Sequence, residues 1–209
     1  MKKEVNPQDT SRARAFKLWM KSPMPMVTLI KTFDVSHLRK VSRKSGIKFN
    51  ALLCWCIAKV ASGMPEFYLM LIGDKLYQYD SLAVNVIVNT SKGSINNCDI
   101  PFSEDVRQFE RDYIKITRQV YESDETYSLD DECAIIGTSA MPNCYIDGAV
   151  NQYSGVWNNT FLSWGSYRRH LMKTLLPISM QFHHVLLDGG DAVSFLNGLQ
   201  TEISNLNCK

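Results

Sequence analysis

The stretch Pro177-Ile-Ser-Met-Gln-Phe-His183-His184-Val-Leu-Leu-Asp188-Gly189-Gly190 decides how the chain is read. An apolar run enters two adjacent histidines, an aspartate follows, and a glycine pair precedes a segment with helical spacing. Leu175 to Phe182 reads as a buried strand, and Ala192, Leu196, Leu199, Ile203 and Leu206 mark a closing helix that starts near Gly190. Chemistry placed at a strand end sits on a rigid scaffold. Neighbouring side chains of a strand point to opposite faces, so His183 and His184 need different partners. If one enters a cleft, the other lies in the core or at an interface. A neutral imidazole takes a proton near pH 7 with no cofactor. Asp188 is placed to cap the helix or to accept a salt bridge, and the glycines permit positive φ or close backbone approach. Buried histidines in general are more often hydrogen-bonded structural groups than catalysts. His184 with Asp188 offers two ligand types and no third partner nearby, so no metal is expected.

Outward from that stretch, helices and strands alternate through the chain. Ser11 to Met20 reads as a short helix capped by Asp9, Thr10 or Ser11, after frayed residues 1–10. Met26 to Val35 reads as a strand, followed by a helix capped by Asp34 or Ser36 that ends at Gly46. Phe49, Leu52, Leu53, Cys56, Ile57 and Val60 form one apolar stripe of a second helix, stopped at Gly63-Met-Pro65. Tyr68 to Ile72 and Lys75 to Tyr79 flank Gly73-Asp74 as a hairpin. Ser81 to Asn89 alternates as a strand, and Ser91 to Asn97 reads as a polar turn. A long helix opens at Ser103 and Glu104 and runs to Tyr121. Glu122 to Glu132 reads as exposed loop, Ala134 to Ala140 as a strand, Gly148 to Asn159 as irregular, and Thr160 to Trp164 as a strand. No linker or repeat divides residues 1–209. The expected fold is one α/β domain, a two-layer sandwich of a large mixed β-sheet with helices packed mainly on one face.

The chain has 209 residues, 45% of them hydrophobic and 21% charged, enough for one substantial core. A net charge of +2 gives no strong pull toward nucleic acid or an anionic membrane. The opening MKKEVNPQDT is too polar for a signal-peptide core, and no apolar run reaches the length of a membrane span, so a cytoplasmic location is expected. The cysteines are Cys54, Cys56, Cys98, Cys133, Cys144 and Cys208; none forms a CxxC pair, and they read as buried, reduced thiols.

The HHxxxDG pattern after a strand beginning Leu-Pro-Ile-Ser resembles the signature of the chloramphenicol acetyltransferase family, which the dihydrolipoyl acyltransferase catalytic domains share. FNALLCWCIAKVASGMPEFYLMLIGDKLYQYDSL is similar to the family's helix, turn and hairpin. Thr138-Ser-Ala-Met-Pro142 resembles its S-A-x-P strand end, and the closing helix is similar too, so the likeness runs from about Arg12 to Leu206. The resemblance implies a CoA-dependent acyltransferase-like fold and direct acetyl transfer from acetyl-CoA, the co-substrate, to a small hydroxylated acceptor, with chloramphenicol among the candidates. It makes His184 the general base. It makes Asp188 a shape-keeping partner of an arginine near the N-terminus, Arg12, with Arg14 as fallback; a plain reading of Arg12 is an exposed helix charge. It further implies a homotrimer whose active sites lie between subunits; from the charge and the lack of a long apolar run, no nucleic-acid or membrane partner is expected. Transfer to a thiol, as in the dihydrolipoyl enzymes, is a weaker alternative.

The chain departs from the family at two places. Where the family carries an oxyanion-stabilising serine after the S-A-x-P strand end, an ungapped match places Gly148. Loss of one such donor costs roughly 10²–10³ in rate. A backbone N–H, a water or a hydroxyl such as that of Ser163 takes its place, or the alignment slips, or the protein is a catalytically weak or inactive relative that binds a small ligand. No Ser or Thr lies between Ala140 and Gln152 to favour the slip. The acceptor pocket differs as well: Leu18 and Trp19 occupy the family's aromatic pair, Tyr145 is a further pocket position, and Gly190-Asp191 replaces the usual Phe-His. Core packing is the plain reading of Leu18 and Trp19.

Overall fold

Leu176, Ile178, Met180 and Phe182 alternate with Ser179, Gln181 and His183 along one strand, and both sets are buried. A strand with an apolar face and a polar face, both covered, needs a different layer on each side. In the computed structural model, which describes residues 2–153 and 155–207, helices cover the apolar face and an irregular segment covers the polar one. That segment is Gly148 to Asn159 of the sequence reading: the Ala149 N–H donates to Ser179 Oγ at 2.7 Å, and Gln181 Nε2 donates to the Asn151 carbonyl at 2.9 Å.

In chain order the elements are β1 (Lys3–Val5), α1 (Ala13–Trp19), β2 (Met26–Asp34), α2 (Ser36–Ser45), α3 (Phe49–Ser62), β3 (Leu69–Ile72), β4 (Lys75–Gln78), β5 (Leu82–Asn89), β6 (Ile95–Pro101), α4 (Val106–Ser123), β7 (Ala134–Ala140), β8 (Phe161–Trp164), β9 (Arg168–His170), β10 (Lys173–His183) and α5 (Gly189–Asn205). The main sheet has seven strands in the order β2-β10-β8-β7-β5-β6, with β9 beside β10. The β5–β7 and β7–β8 pairs are parallel and the others antiparallel, which makes the sheet mixed. A second sheet, β1-β4-β3, carries its own small core of Leu69, Leu71, Leu76, Val185 and Leu186, against which Phe16, Trp19 and Met20 pack. This small sheet fastens α1 to the turn that follows His183.

Several expectations change. Residues 1–10 are not all frayed: Lys3–Val5 pairs with β4, and Pro7–Asp9 is a 3-10 turn. The polar run Ser91 to Asn97 ends a turn and begins β6, whose Asn96, Asn97 and Asp99 hide the strand pattern. Asp99 is tolerated in that strand because Asn85 Nδ2 and the Leu129 N–H donate to its two oxygens at 2.7 and 2.8 Å, while burial pushes its carboxyl upward. β9 had no sequence signal. α3 is buried from Ala51 to Ala58 and again at Ala61, not along one stripe, because α2, α4, α5 and the sheet surround it. α4 is capped by Asp105, whose Oδ1 accepts the Arg107 N–H at 2.9 Å, and runs on to Ser123. Among the described cysteines all are free; Cys144 is exposed where a buried thiol was expected, and Cys208 lies outside the described residues.

The segment before the loop-covered face is held by close backbone approach. The Ser166 N–H donates to the Cys144 carbonyl at 2.7 Å, and a Cβ on Gly165 would lie 2.4 Å from that oxygen. Backbone cannot yield as a side-chain tip does. Gly165→Ala should therefore lower stability by about 1–3 kcal/mol, read as a reduced urea midpoint with an unchanged slope.

Candidate active site

The N-cap of α1 is Arg12, not Asp9, Thr10 or Ser11; the Arg12 N–H donates to Thr10 Oγ1 at 3.1 Å. Arg12 is only 5% exposed, so it is not a surface charge. A buried guanidinium requires acceptors for its protons. Nε donates to the Val185 carbonyl at 2.8 Å and Nη2 to the His184 carbonyl at 3.2 Å. Nη1 lies 3.4 Å from Asp188 Oδ2 and 3.2 Å from Asp191 Oδ2. The turn after β10 has thus given two of its carbonyls, and α5 two of its carboxylates, to one cation.

Asp188 does both things its position allows. Its Oδ1 caps α5, accepting the N–H groups of Gly190 at 2.9 Å and Asp191 at 3.2 Å, while Oδ2 faces Arg12. The Asp188 N–H in turn donates to Asp191 Oδ2 at 3.1 Å, closing a capping box. The Asp191 and Gly190 amides, with Arg12 beside them, hold the Asp188 carboxyl below its ordinary range. Its oxygens are committed to the backbone and to Arg12, so it acts on the turn and not on an imidazole.

The two histidines part company at the end of β10. The His184 N–H donates to the Pro25 carbonyl at 2.8 Å, and its ring lies flat on Trp19, with centroids 4.5 Å apart and planes 10° apart. Phe182 meets the same ring edge-on at 6.5 Å. His184 Nδ1 is buried with no hydrogen-bond partner among the described residues. His183 is 3% exposed under the loop-covered face, near Tyr153. Its Nδ1 accepts the Val185 N–H at 3.1 Å, so the neutral ring carries its proton on Nε2. Burial first, and His184 second, push His183 down to about 4.

Of the remaining expected site residues, Trp19 meets His184, while Gly148 and Ser163 lie well away from it along β10. Leu18 is 57% exposed, so it is not core, while Trp19 is the ring under His184. Tyr145 is exposed, with Arg168 5.5 Å over its ring. Gly148 packs on β2, where an added Cβ would meet Ile30 Cδ1 at 2.4 Å. Ser163 pairs across β10 with Ser179, and its Oγ is buried without a partner among the described residues. Ile30 pairs with Ser179, four positions before His183 on β10, which sets Gly148 and Ser163 about 13 Å along the strand from His183 and farther from His184. The Ala149 amide is already committed to Ser179, which removes one backbone donor from those that replace a missing serine. Asp191 was seen in the sequence only as a departure from Phe-His; the D-x-x-D spacing of Asp188 and Asp191 was the capping-box signal that marked it.

A groove of about 920 Å³ opens elsewhere, lined by Lys48, Phe49, Arg118, Tyr121, Tyr145 and Tyr167 among others. Trp164 also lines it and pairs with Ile178, about 20 Å along β10 from His184. Its walls mix cations and aromatic rings, and neither His184 nor Trp19 borders it. Phe49 and Tyr167 touch at 5.3 Å, and Arg39 lies 5.7 Å over Tyr167. Among the described residues no group of His, Cys, Asp and Glu side chains is arranged to hold a metal, and no helix is long and apolar enough to cross a membrane.

The depressed His183 fixes the sign of one pH effect. The unfolded histidine binds a proton near 6.5 and the folded one only near 4, so the unfolded state takes up more protons between these values. The stability His183 confers as a neutral group is full above 6.5 and is lost as pH falls toward 4. His183→Gln should flatten the fall of unfolding free energy across that window, measured by urea titrations at several pH values. An unchanged slope would remove His183 as its source.

The family model for chloramphenicol acetyltransferase matches residues 3–200. Chloramphenicol acetyltransferase 2 of Escherichia coli is 22% identical over 204 residues, covering 94% of each chain, and chloramphenicol acetyltransferase 3 of Escherichia coli is 26% identical over 190 residues, covering 87% of each. Among solved structures, a chloramphenicol acetyltransferase superposes with a TM-score of 0.85 at 18% identity, covering 97% of this chain and all of that one. A probable dihydrolipoamide acetyltransferase from Listeria monocytogenes gives a TM-score of 0.72 at 12% identity, covering 97% of this chain and 94% of the other. The mixed sheet with its helical layer is thus the CoA-dependent acyltransferase fold. With that fold in place and the family model matching nearly its whole length, the chain belongs to the chloramphenicol acetyltransferase family.

Proposed function

We propose that the protein is an acetyl-CoA-dependent O-acetyltransferase acting on a small hydroxylated acceptor, chloramphenicol among those to be tried, with His184 as the general base. The observation that carries this reading is the way the His184 ring is set: flat on Trp19, in a turn whose carbonyls are held by a buried arginine. A base so fixed loses little freedom on reaching the transition state. His184 takes the acceptor's hydroxyl proton as that oxygen attacks the thioester carbonyl. The tetrahedral oxyanion collapses, the C–S bond breaks, and the imidazolium returns its proton to the departing CoA thiolate. Trp19 presents its ring face to the imidazolium formed in between, a favourable cation–π arrangement.

The working unit in this reading is a homotrimer. The groove that suits acetyl-CoA and the Gly148 segment both lie well along β10 from His184, so a second copy is needed to bring either to the base. Acetyl-CoA then lies along the groove with Lys48 and Arg118 toward its phosphates, and the acceptor meets Trp19 of one subunit and Tyr145 of another.

A second reading rests on Gly148. With no side-chain donor there, the protein is a weak or inactive relative that keeps the scaffold and binds a small ligand. Ser163 and Ser179 favour the first reading, since both hydroxyls lie beside the Gly148 segment and Ser163 has an unused oxygen.

A thiol-release assay with acetyl-CoA, with and without chloramphenicol and a panel of alcohols, tests the assignment. CoA release should depend on an alcohol and fall by roughly 10²–10⁴-fold in His184→Ala. CoA bound with no turnover across the panel would favour the second reading. Gly148→Ser separates the two further, paired with Ile30→Val to relieve the contact at Ile30 Cδ1. If the hydroxyl is missed, that pair should raise the rate by about 10-fold or more; an already active enzyme should barely respond.

A further inference from the structure

The resemblance assigns Arg12 one acidic partner, Asp188. The structure gives it two. Asp191 Oδ2 lies nearer to Arg12 Nη1 than Asp188 Oδ2 does, 3.2 against 3.4 Å, and the Asp191 side chain is 26% exposed where that of Asp188 is 52% exposed. The less solvated carboxylate feels the cation more strongly. The same Asp191 oxygen accepts the Asp188 N–H, so it fixes the backbone from which the Asp188 carboxylate projects. Each carboxylate thus supports the other: Asp188 caps the amide of Asp191, and Asp191 holds the amide of Asp188. Both then converge on the guanidinium that holds the carbonyls of His184 and Val185.

We propose that Asp191 is a positioning residue for His184, sharing with Asp188 the task of fixing Arg12 and, through it, the turn that carries the base. The inference rests on the reading of His184 as that base. It departs from a plain capping role for Asp191, which would strengthen α5 and leave the His184 ring indifferent to the charge at 191. It also makes Asp188 partly replaceable, because Arg12 keeps an acidic partner when either carboxylate is removed.

The test uses the full chain with Asp188→Asn, Asp191→Asn and both together. Asparagine keeps an oxygen for the helix cap and removes the charge that faces Arg12. Two readouts are taken: kcat and KM for acetyl transfer, and the pH dependence of Trp19 emission, corrected by the same variant carrying His184→Ala. A stacked imidazole quenches indole emission more when protonated, so that signal reports the ring's place without any turnover. Each single variant should keep the pH-dependent quench and lower kcat modestly. The double variant should lose the quench and lower kcat beyond the product of the single losses by about 5-fold or more, with KM for acetyl-CoA less affected. Strictly multiplicative losses, or an Asp191→Asn change that alters neither readout in either background, would overturn the proposal. If wild type shows no acetyl transfer while the quench follows the expected pattern, the function fails and the positioning stands. Normal transfer with a quench that ignores both carboxylates has the reverse meaning. Should the double variant not fold, Arg12→Lys replaces it: a lysine cannot fork between two carbonyls and two carboxylates, so the quench should vanish, and its persistence overturns the proposal.

Discussion

One buried cation organises the end of the fold where chemistry is expected. Arg12 has left water, and the cost of that is offset only because two carbonyls and two carboxylates surround it. The carbonyls belong to His184 and Val185, in a turn outside any helix or strand, where no ladder would satisfy them. The carboxylates are the N-cap of α5 and a residue of its first turn, Asp188 accepting the amides of Gly190 and Asp191 and Asp191 accepting that of Asp188. Arg12 therefore ties the start of α1 to one short stretch, His184 to Asp191, far away in sequence, and each side supplies what the other lacks.

β10 relates this cluster to the remainder of the molecule. Its apolar face joins the main core under the helices, and its polar face carries Ser179, Gln181 and His183 beneath the segment near Gly148. At its end the chain leaves the sheet, and the small sheet of β1, β3 and β4 seats α1 against the turn through Leu69, Leu71 and Val185. Trp19 reaches His184 because α1 is seated there. The length of β10 also sets the groove and Gly148 apart from His184.

Much of the fold was legible because periodicity survives where one side of an element is buried. The closing helix, α4, the β3–β4 hairpin and β10 all announced themselves this way. β6 did not, because buried Asp99 breaks the apolar alternation and is made tolerable by Asn85 and Leu129, partners invisible in a linear reading. β1 and β9 are three-residue strands whose pairing depends on a neighbour being present. α3 showed a stripe in the sequence and is buried nearly all round, since three helices and the sheet enclose it.

The sequence by itself determined the strand that delivers two histidines, the aspartate and glycines that open α5, the family, and the absence of a serine at residue 148. These are local patterns, and local chemistry states them in full. Only the tertiary structure decided that Arg12 is buried, that Asp191 shares it, that Trp19 lies flat under His184, and that Ile30 fills the space a side chain at 148 would take. The physical reason is desolvation: what a charge or a ring contributes depends on what surrounds it once water has gone, and those surroundings come from parts of the chain far apart in sequence.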